Sequence, residues 1–450
     1  METLENRLQK RIHVSLYALL FLTTLLGLSV LLEGCTDKCE VTREYVYFEP
    51  VYTTVEEIRS SVALEPAQTI GTVGKIYFKD GILYVNEPGE GIHIINNQNP
   101  ANPVQLKFLK IPGNYDLAIK GNTLYADSYV DLVAFDVSDL SNIREVNRVE
   151  GVFKNYQIFG YSIDENCCVI TNFERKESVY IDESDCTTAP IQTWGSPMNE
   201  GGPGGIVVRA DMAANFSTMA AIAPGSGSGS GVGGSLARFT ISGNHLYLLD
   251  GADLHAVNIA NETNPVPGSR TQLGWDIETI FPYEQNLFVG SMTGMHILDI
   301  SSPESPVTLS TFQHVTSCDP VVVEGDYAYV TLRTGNFCAG NVNQLDVVDI
   351  SDLRNPQLVK TYPMTNPHGL GIDDHTLFVC DGAAGLKAYD ATDVNAIDRN
   401  LIAHHQGINA VDVIPFNNVL MMIGEDGIFQ YDYSNPKELK ILSKISVSNE

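Results

Sequence analysis

The sequence predicts an all-β fold, a β-propeller of about seven four-stranded blades, with eight as the alternative. Three observations predict it. First, an apolar run ending in Asp or Asn recurs at Asn96, Asp136, Asn258, Asp299, Asp349, Asp390 and Asp432. The spacings are 40, 122, 41, 50, 41 and 42 residues, and a period near 41 marks a solenoid or propeller. Second, each of these runs is preceded by a polar or Gly-containing turn and another apolar segment, as in KDGILYV, KGNTLYA and EGDYAYV. Asn, Asp and Gly tolerate positive φ and close tight hairpins. Third, the segments alternate with period two, and 38 Gly, 21 Pro and 20 Tyr among 450 residues favour turns and strands over long helices.

Each unit therefore reads as strand, tight turn, strand, Gly-containing loop, strand ending at Asp or Asn, longer turn, strand. The longer turn carries Pro or Asn-Pro, as in NPANPV, NETNPV and SSPESPV. Asn and Asp there bond their own backbone and Pro presets φ, so the chain must turn. The spacing of 50 contains an insertion around Gly335–Gln344. The spacing of 122 is one repeat with a long insertion, or several degenerate repeats; Tyr156–Ile181 reads as strands and keeps an eighth blade open. Residues 186–234 contain Gly201–Gly205 and the Gly/Ser run Gly225–Gly231, which reads as flexible coil leaving one face.

The N-terminus reads as an export signal over residues 1–34. Arg7, Lys10 and Arg11 form a basic patch, and no charged residue occurs from Ile12 to Leu32. Leu32-Glu33-Gly34-Cys35 resembles the bacterial lipobox, with Glu33 where a small or apolar residue is usual. The resemblance implies that Cys35 is the lipidated first residue of the mature chain. An uncleaved helical anchor is the alternative. Two or more acyl chains, each contributing roughly 0.8 kcal/mol per buried methylene, hold stably. Residues 35–73 read as a tether and linker, in which the spacing of Val55, Ile58 and Val62 predicts a short helix.

The net charge is −28 with a pI near 4.6. Such a chain is repelled by nucleic-acid phosphates and anionic headgroups, which excludes nucleic-acid binding as the main role and leaves membrane attachment to the lipid.

The repeats over 74–447 resemble the LVIVD-repeat family. Leu132–Asp136, Met295–Asp299 and Leu345–Asp349 match its namesake run well, and Leu386–Asp390 matches loosely. The resemblance implies a blade, and an exported or surface-attached bacterial protein. It supplies no catalytic residues.

The first strand of each blade is expected to line the central channel, and the residues at these starts are polar: Lys75, Asp116, Arg238, Asp276, Asp319 and His368. One reading brings Asp116, Asp276, Asp319 and His368 together around Ca²⁺ or another divalent cation. The other pairs Lys75 and Arg238 with the carboxylates in a hydrated channel and needs no cofactor. No GxSxG elbow, GxGxxG or GxxxxGK[ST] motif occurs, so nothing assigns a catalytic residue. Cys318 and Cys338 fall in one unit, and a disulfide between them would close the loop holding the 335–344 insertion.

These readings converge on a lipid-anchored binding or scaffolding module of a Gram-negative envelope. It would sit on the outer membrane, facing outward, with a protein, peptide or glycan partner. A hydrolase or lyase at the channel mouth, and a structural subunit of an outer-membrane complex, are the alternatives.

Overall fold

The computed structural model describes residues 13–24, 38–153, 157–158, 161–162, 168–185, 231–274, 277–292, 294–314, 320–334 and 342–448. The chain forms two compact units, residues 1–49 with 173–208, and residues 50–172 with 209–450. In the first, the described residues are a helix over 13–24 and lengths of the long strands Lys38–Thr54 and Cys168–Asp185, which pair with each other. No helix among the described residues is long and apolar enough to cross a membrane.

The second unit is the propeller. Seven four-stranded antiparallel blades occupy residues 76–110, 117–149, 239–272, 277–313, 321–363, 370–405 and 410–446. These are the seven repeats counted from the sequence. Blades two and three are neighbours despite the 122-residue spacing: the Tyr125 hydroxyl donates to the Glu262 carbonyl at 2.7 Å, and Asn147 donates to Asn264 at 3.1 Å. The strands after blade two, Gln157–Ile158, Tyr161–Ser162 and Cys168–Asp185, build two-stranded sheets and no eighth blade.

The residue that ends each repeated run has one physical job. Its side-chain oxygen accepts the backbone N–H two residues on, in all seven blades. The pairs are Asn96 with Gln98, Asp136 with Ser138, Asn258 with Ala260, Asp299 with Ser301, Asp349 with Ser351, Asp390 with Thr392 and Asp432 with Ser434, at 2.7–3.0 Å. This bond turns the chain out of the third strand, and Asn makes it as well as Asp does. The tight turns carry the expected positive φ, at Asp80–Gly81, Asp374–His375 and Asn417–Asn418 among others. Glycine stands at or just before the start of the third strand in four blades for a separate reason. A Cβ at Gly91, Gly294, Gly385 or Gly427 would stand 1.9–2.5 Å from a carbonyl oxygen of the neighbouring fourth strand.

Every fourth strand carries a bulge, which strengthens the local twist. In most blades the extra residue is aliphatic, as with Leu106, Val146, Leu309, Val359 and Ile402, and it packs on the core.

The N-terminal side of the first blade is also ordered. The expected helix spans Val55–Ser60, and Thr54 and Glu57 cap it reciprocally. Val55 and Ile58 pack against Tyr129, Val130 and Val169. Arg59 binds Asp131 at 2.8 Å. Ala63–Pro66 then adds a fifth strand outside blade one, and Ile70 bridges to Val447.

Among the described residues, blades one and seven exchange no strand. Beyond the Ile70–Val447 bridge, side chains close their seam. Gln430 and Asn97, both buried, trade amide hydrogen bonds at 2.7 and 2.8 Å, and Ser443 donates to the Pro100 carbonyl at 2.6 Å. Behind them Ile76, Leu83, Val85 and Ile95 pack on Ile414, Met421 and Ile428. Gln430→Met keeps the volume and leaves the Asn97 amide without its partner. We expect a loss of about 1–3 kcal/mol, read from the urea midpoint. An unchanged midpoint would show that the seam does not depend on this pair.

Candidate functional site

Strand register defines a common level around the channel. Lys75 lies opposite Asn86, Asp116 opposite Asp127 and Arg238 opposite Leu249, each one residue before the first paired position of its inner strand. The equivalent residues in blades four to seven are Thr279, Pro320, Gly369 and Asp412. Three of the six residues expected from the sequence thus share one level. His368 sits one position before it. Asp276 and Asp319 lie outside the described residues.

Lys75 and Asp116 form a buried ion pair at 2.6 Å. The Asp116 carboxylate also accepts the backbone N–H groups of Arg238 (2.6 Å), Phe239 (3.0 Å) and Leu117 (2.7 Å). Blade two therefore caps the start of blade three, while Arg238 itself donates to the Leu249 carbonyl at 3.0 Å. Burial holds the Lys75 ammonium below its ordinary pKa; Asp116 opposes this shift and Arg238 adds to it. Next to the pair, Asp127 accepts from Tyr115 N, Asp116 N and the Asn114 amide at 2.8–2.9 Å. Burial pushes Asp127 up to about 6, against those backbone donors. Asn86 donates to the Asn114 side chain at 2.8 Å and completes the chain of contacts. These groups satisfy one another, as buried polar groups must.

The middle of the channel is filled by the protein itself. Val232 and Gly233 pair antiparallel with Phe78 and Tyr77 on the inner edge of blade one. Gly231 N–H donates to Ile119 O in blade two at 3.2 Å. The Ser235 hydroxyl donates to Asp412 in blade seven (3.2 Å) and accepts from Leu370 N in blade six (2.9 Å). Ile280 N of blade four donates to Ala237 O at 2.8 Å. Residues 231–237 thus contact five of the seven blades.

Asp412 lies at the centre of this arrangement and is fully buried. Burial pushes its carboxyl up to about 8, opposed by the Val413 and Ser235 donors and by the Lys75 charge. The carboxyl is wedged between two glycines: a Cβ at Gly234 would approach its Oδ2 to 2.1 Å, and one at Gly369 its Oδ1 to 2.0 Å. Among the described residues, its Oδ2 has no hydrogen-bond partner. The sequence reading missed Asp412 and the filling segment. The signal for Asp412 was present, as a single charge in the apolar run Ala410–Phe416.

His368 is held neutral. Burial lowers its pKa to about 3, helped by Arg333 and opposed by Asp381, and its Nε2 lies 3.1 Å from the Asn366 amide. Among the described residues, no three His, Cys, Asp or Glu are placed to hold a metal ion. Cys35 and its flanking motif, Cys318 and Cys338 lie outside the described residues. Cys168 is disulfide-bonded, and Cys380 is a buried thiol whose pKa burial raises.

At the opposite end of the inner strands a cavity of about 360 Å³ remains open. Inner strands of blades four to seven form its wall, with Phe281, Val322, Leu370, Ile372 and Ile414, and Val232 of the filling segment forms its base. Tyr283, Glu284 and Glu324 stand at its rim.

A model of the LVIVD repeat matches residues 114–150 and 317–364, which span blades two and five. Two of the seven blades thus match that repeat. No curated protein matches it. Among solved structures it is similar to the computationally designed Ika8 protein, with 9% identity over 84% of this chain and 89% of that one and a TM-score of 0.48. It is also similar to Sqt1 of Saccharomyces cerevisiae, with 6% identity over 84% and 87% and a TM-score of 0.48. BamB of Moraxella catarrhalis is similar at 10% identity over 81% and 85%, with a TM-score of 0.45.

Proposed function

We propose that this LVIVD-repeat propeller is a binding module held at the bacterial envelope by a lipid on Cys35. The observation that carries the binding reading is the division of the channel. Its polar level is closed by residues 231–237 and by the buried Lys75–Asp116 pair, whereas its far mouth keeps an apolar cavity. General acid–base chemistry needs groups within reach of a substrate. Lys75, Asp116 and Asp412 are at most 1% exposed, which favours a structural role for them. The open cavity and the rigid ring of turns suit recognition.

A photo-reactive residue at position 283, beside the cavity, tests this reading in the native envelope. We expect crosslinking to a discrete partner from this position and none from the outer strand of the same blade. Turnover of an envelope glycan or peptide by the purified protein, lost in a Lys75→Met, Asp116→Ala variant that still folds, would overturn it.

The anchor is proposed from the basic, apolar, Leu-x-Gly-Cys order of the N-terminus and the charge of −28, which gives the protein surface no attraction of its own for anionic lipid. Outer-membrane attachment facing outward is part of the same proposal. Cys35→Ser is expected to release the protein from the membrane fraction or to block its processing. Unchanged size and full membrane retention would point to an uncleaved helix instead.

A further inference from the structure

The apolar mouth of the channel has a backbone feature as well as a shape. The inner strands Val321–Glu324, Leu370–Asp373 and Ala410–Phe416 are the innermost of blades five, six and seven. Among the described residues, no further strand pairs with their channel-facing edges. Blade one shows what such an edge accepts, because Val232–Gly233 is an extended segment paired antiparallel to its inner strand. Ser235 takes the Leu370 N–H and Gly369 N–H bonds Val411 O at 2.9 Å, so the cavity offers apolar walls together with the stretches of strand edge beyond these bonds, which is what an extended peptide uses. At about 360 Å³ it has the volume of a small ligand site.

Charge selects the kind of peptide. Glu284 and Glu324 line the cavity, and Asp326, Asp373 and Asp374 stand exposed in the same hairpin turns. The imidazole of His375, in one of these turns, is already held by Glu324 at 2.8 Å. Asp373, in the blade-six turn, accepts the Tyr433 hydroxyl at 2.6 Å. An acidic rim around an apolar floor attracts basic groups and repels acidic ones.

We infer that this mouth binds an extended peptide whose short apolar run enters the cavity and whose adjacent lysine or arginine meets Glu284 and Glu324. The inference rests on the binding reading above and names the partner chemistry for it.

Fluorescence anisotropy on the full chain tests it with three short labelled peptides. One has an apolar centre flanked by lysines, one the same centre flanked by glutamates, and one a serine–glycine centre flanked by lysines. Only the first is expected to bind, and added salt should weaken it. Glu284→Lys, at an exposed turn, should reduce affinity about tenfold or more. Val232→Trp should abolish binding by filling the cavity, with melting temperature as the control for folding; if that variant does not fold, Glu284→Lys still decides. Equal binding of the glutamate-flanked peptide, or binding indifferent to Glu284→Lys, overturns the inference. So does binding that appears only after residues 186–224 are deleted, which would assign the cavity to the chain itself. A dimer in solution that Val232→Trp dissolves would assign it to a second copy and overturn the inference equally. If no peptide binds while crosslinking at other positions of the ring still captures a partner, this inference fails and the binding reading stands.

Discussion

Lys75→Met is expected to lower the unfolding free energy by about 3–5 kcal/mol. Methionine fills the space of the lysine stem but leaves the Asp116 carboxylate, at 0% exposure, without its cation. Three backbone N–H groups still bond that carboxylate, yet none neutralises it. Because Asp116 caps the start of blade three, the loss should reach the packing of blades two and three as well as blade one. A double-mutant cycle with Asp116→Ala separates the pair from its surroundings. The coupling should be on the order of 2 kcal/mol or more, since removing both partners abolishes the stranded charge. Additive effects would show that the pair contributes nothing beyond its parts.

Asp412→Asn should do the opposite and stabilise the protein at neutral and alkaline pH. The folded carboxyl titrates near 8, whereas an exposed Asp titrates near 4. Between those values the native state holds a proton that the unfolded chain has released, so stability falls as pH rises through this window. Below about 4 and above about 8 the contribution is flat. Asn keeps the acceptor for Ser235 and Val413 and removes the titration. The variant should match the wild type at pH 4 and exceed it by a few kcal/mol at pH 8. Asp127, pushed up to about 6, adds a slope of the same sign between about 4 and 6 in both proteins. The buried His255 and His368, lowered to about 4 and about 3, add slopes of the opposite sign up to about 6.5 in both proteins, so the window from about 7 to 8 isolates Asp412. Parallel stability curves across that window would refute the assignment.

Much of this fold was legible because its repeated residues each perform a local task. The Asp or Asn that closes the third strand bonds a backbone N–H two residues away, so the sequence can show it without tertiary information. The same holds for the hairpin turns and for the Thr54–Glu57 cap. The channel level was legible in blades one to three, where Lys75, Asp116 and Arg238 are charged. In blades four to six the equivalent residues are Thr279, Pro320 and Gly369, and nothing charged marks the register. Gly369 is glycine because the Asp412 carboxyl stands where its Cβ would be. That reason exists only in three dimensions. The filling segment was hidden for a related cause. Gly231 and Gly234 extend a Gly/Ser run that reads as linker, yet their Cβ positions are taken by Tyr77 and Asp412. A glycine kept for close approach and a glycine kept for freedom look the same in one sequence.

The place of residues 231–237 in the chain has a consequence for biosynthesis. Every blade is a contiguous stretch, and the segment at the axis precedes blades three to seven in the order of synthesis. It pairs with blade one, which the ribosome has already released. The axis can therefore be in place before blades four to seven exist, and those blades are laid down around a finished spindle. No completed ring has to be threaded. Blade seven is made after the other six, and it meets blade one through Gln430 and Asn97, so whether the circle shuts waits on that blade.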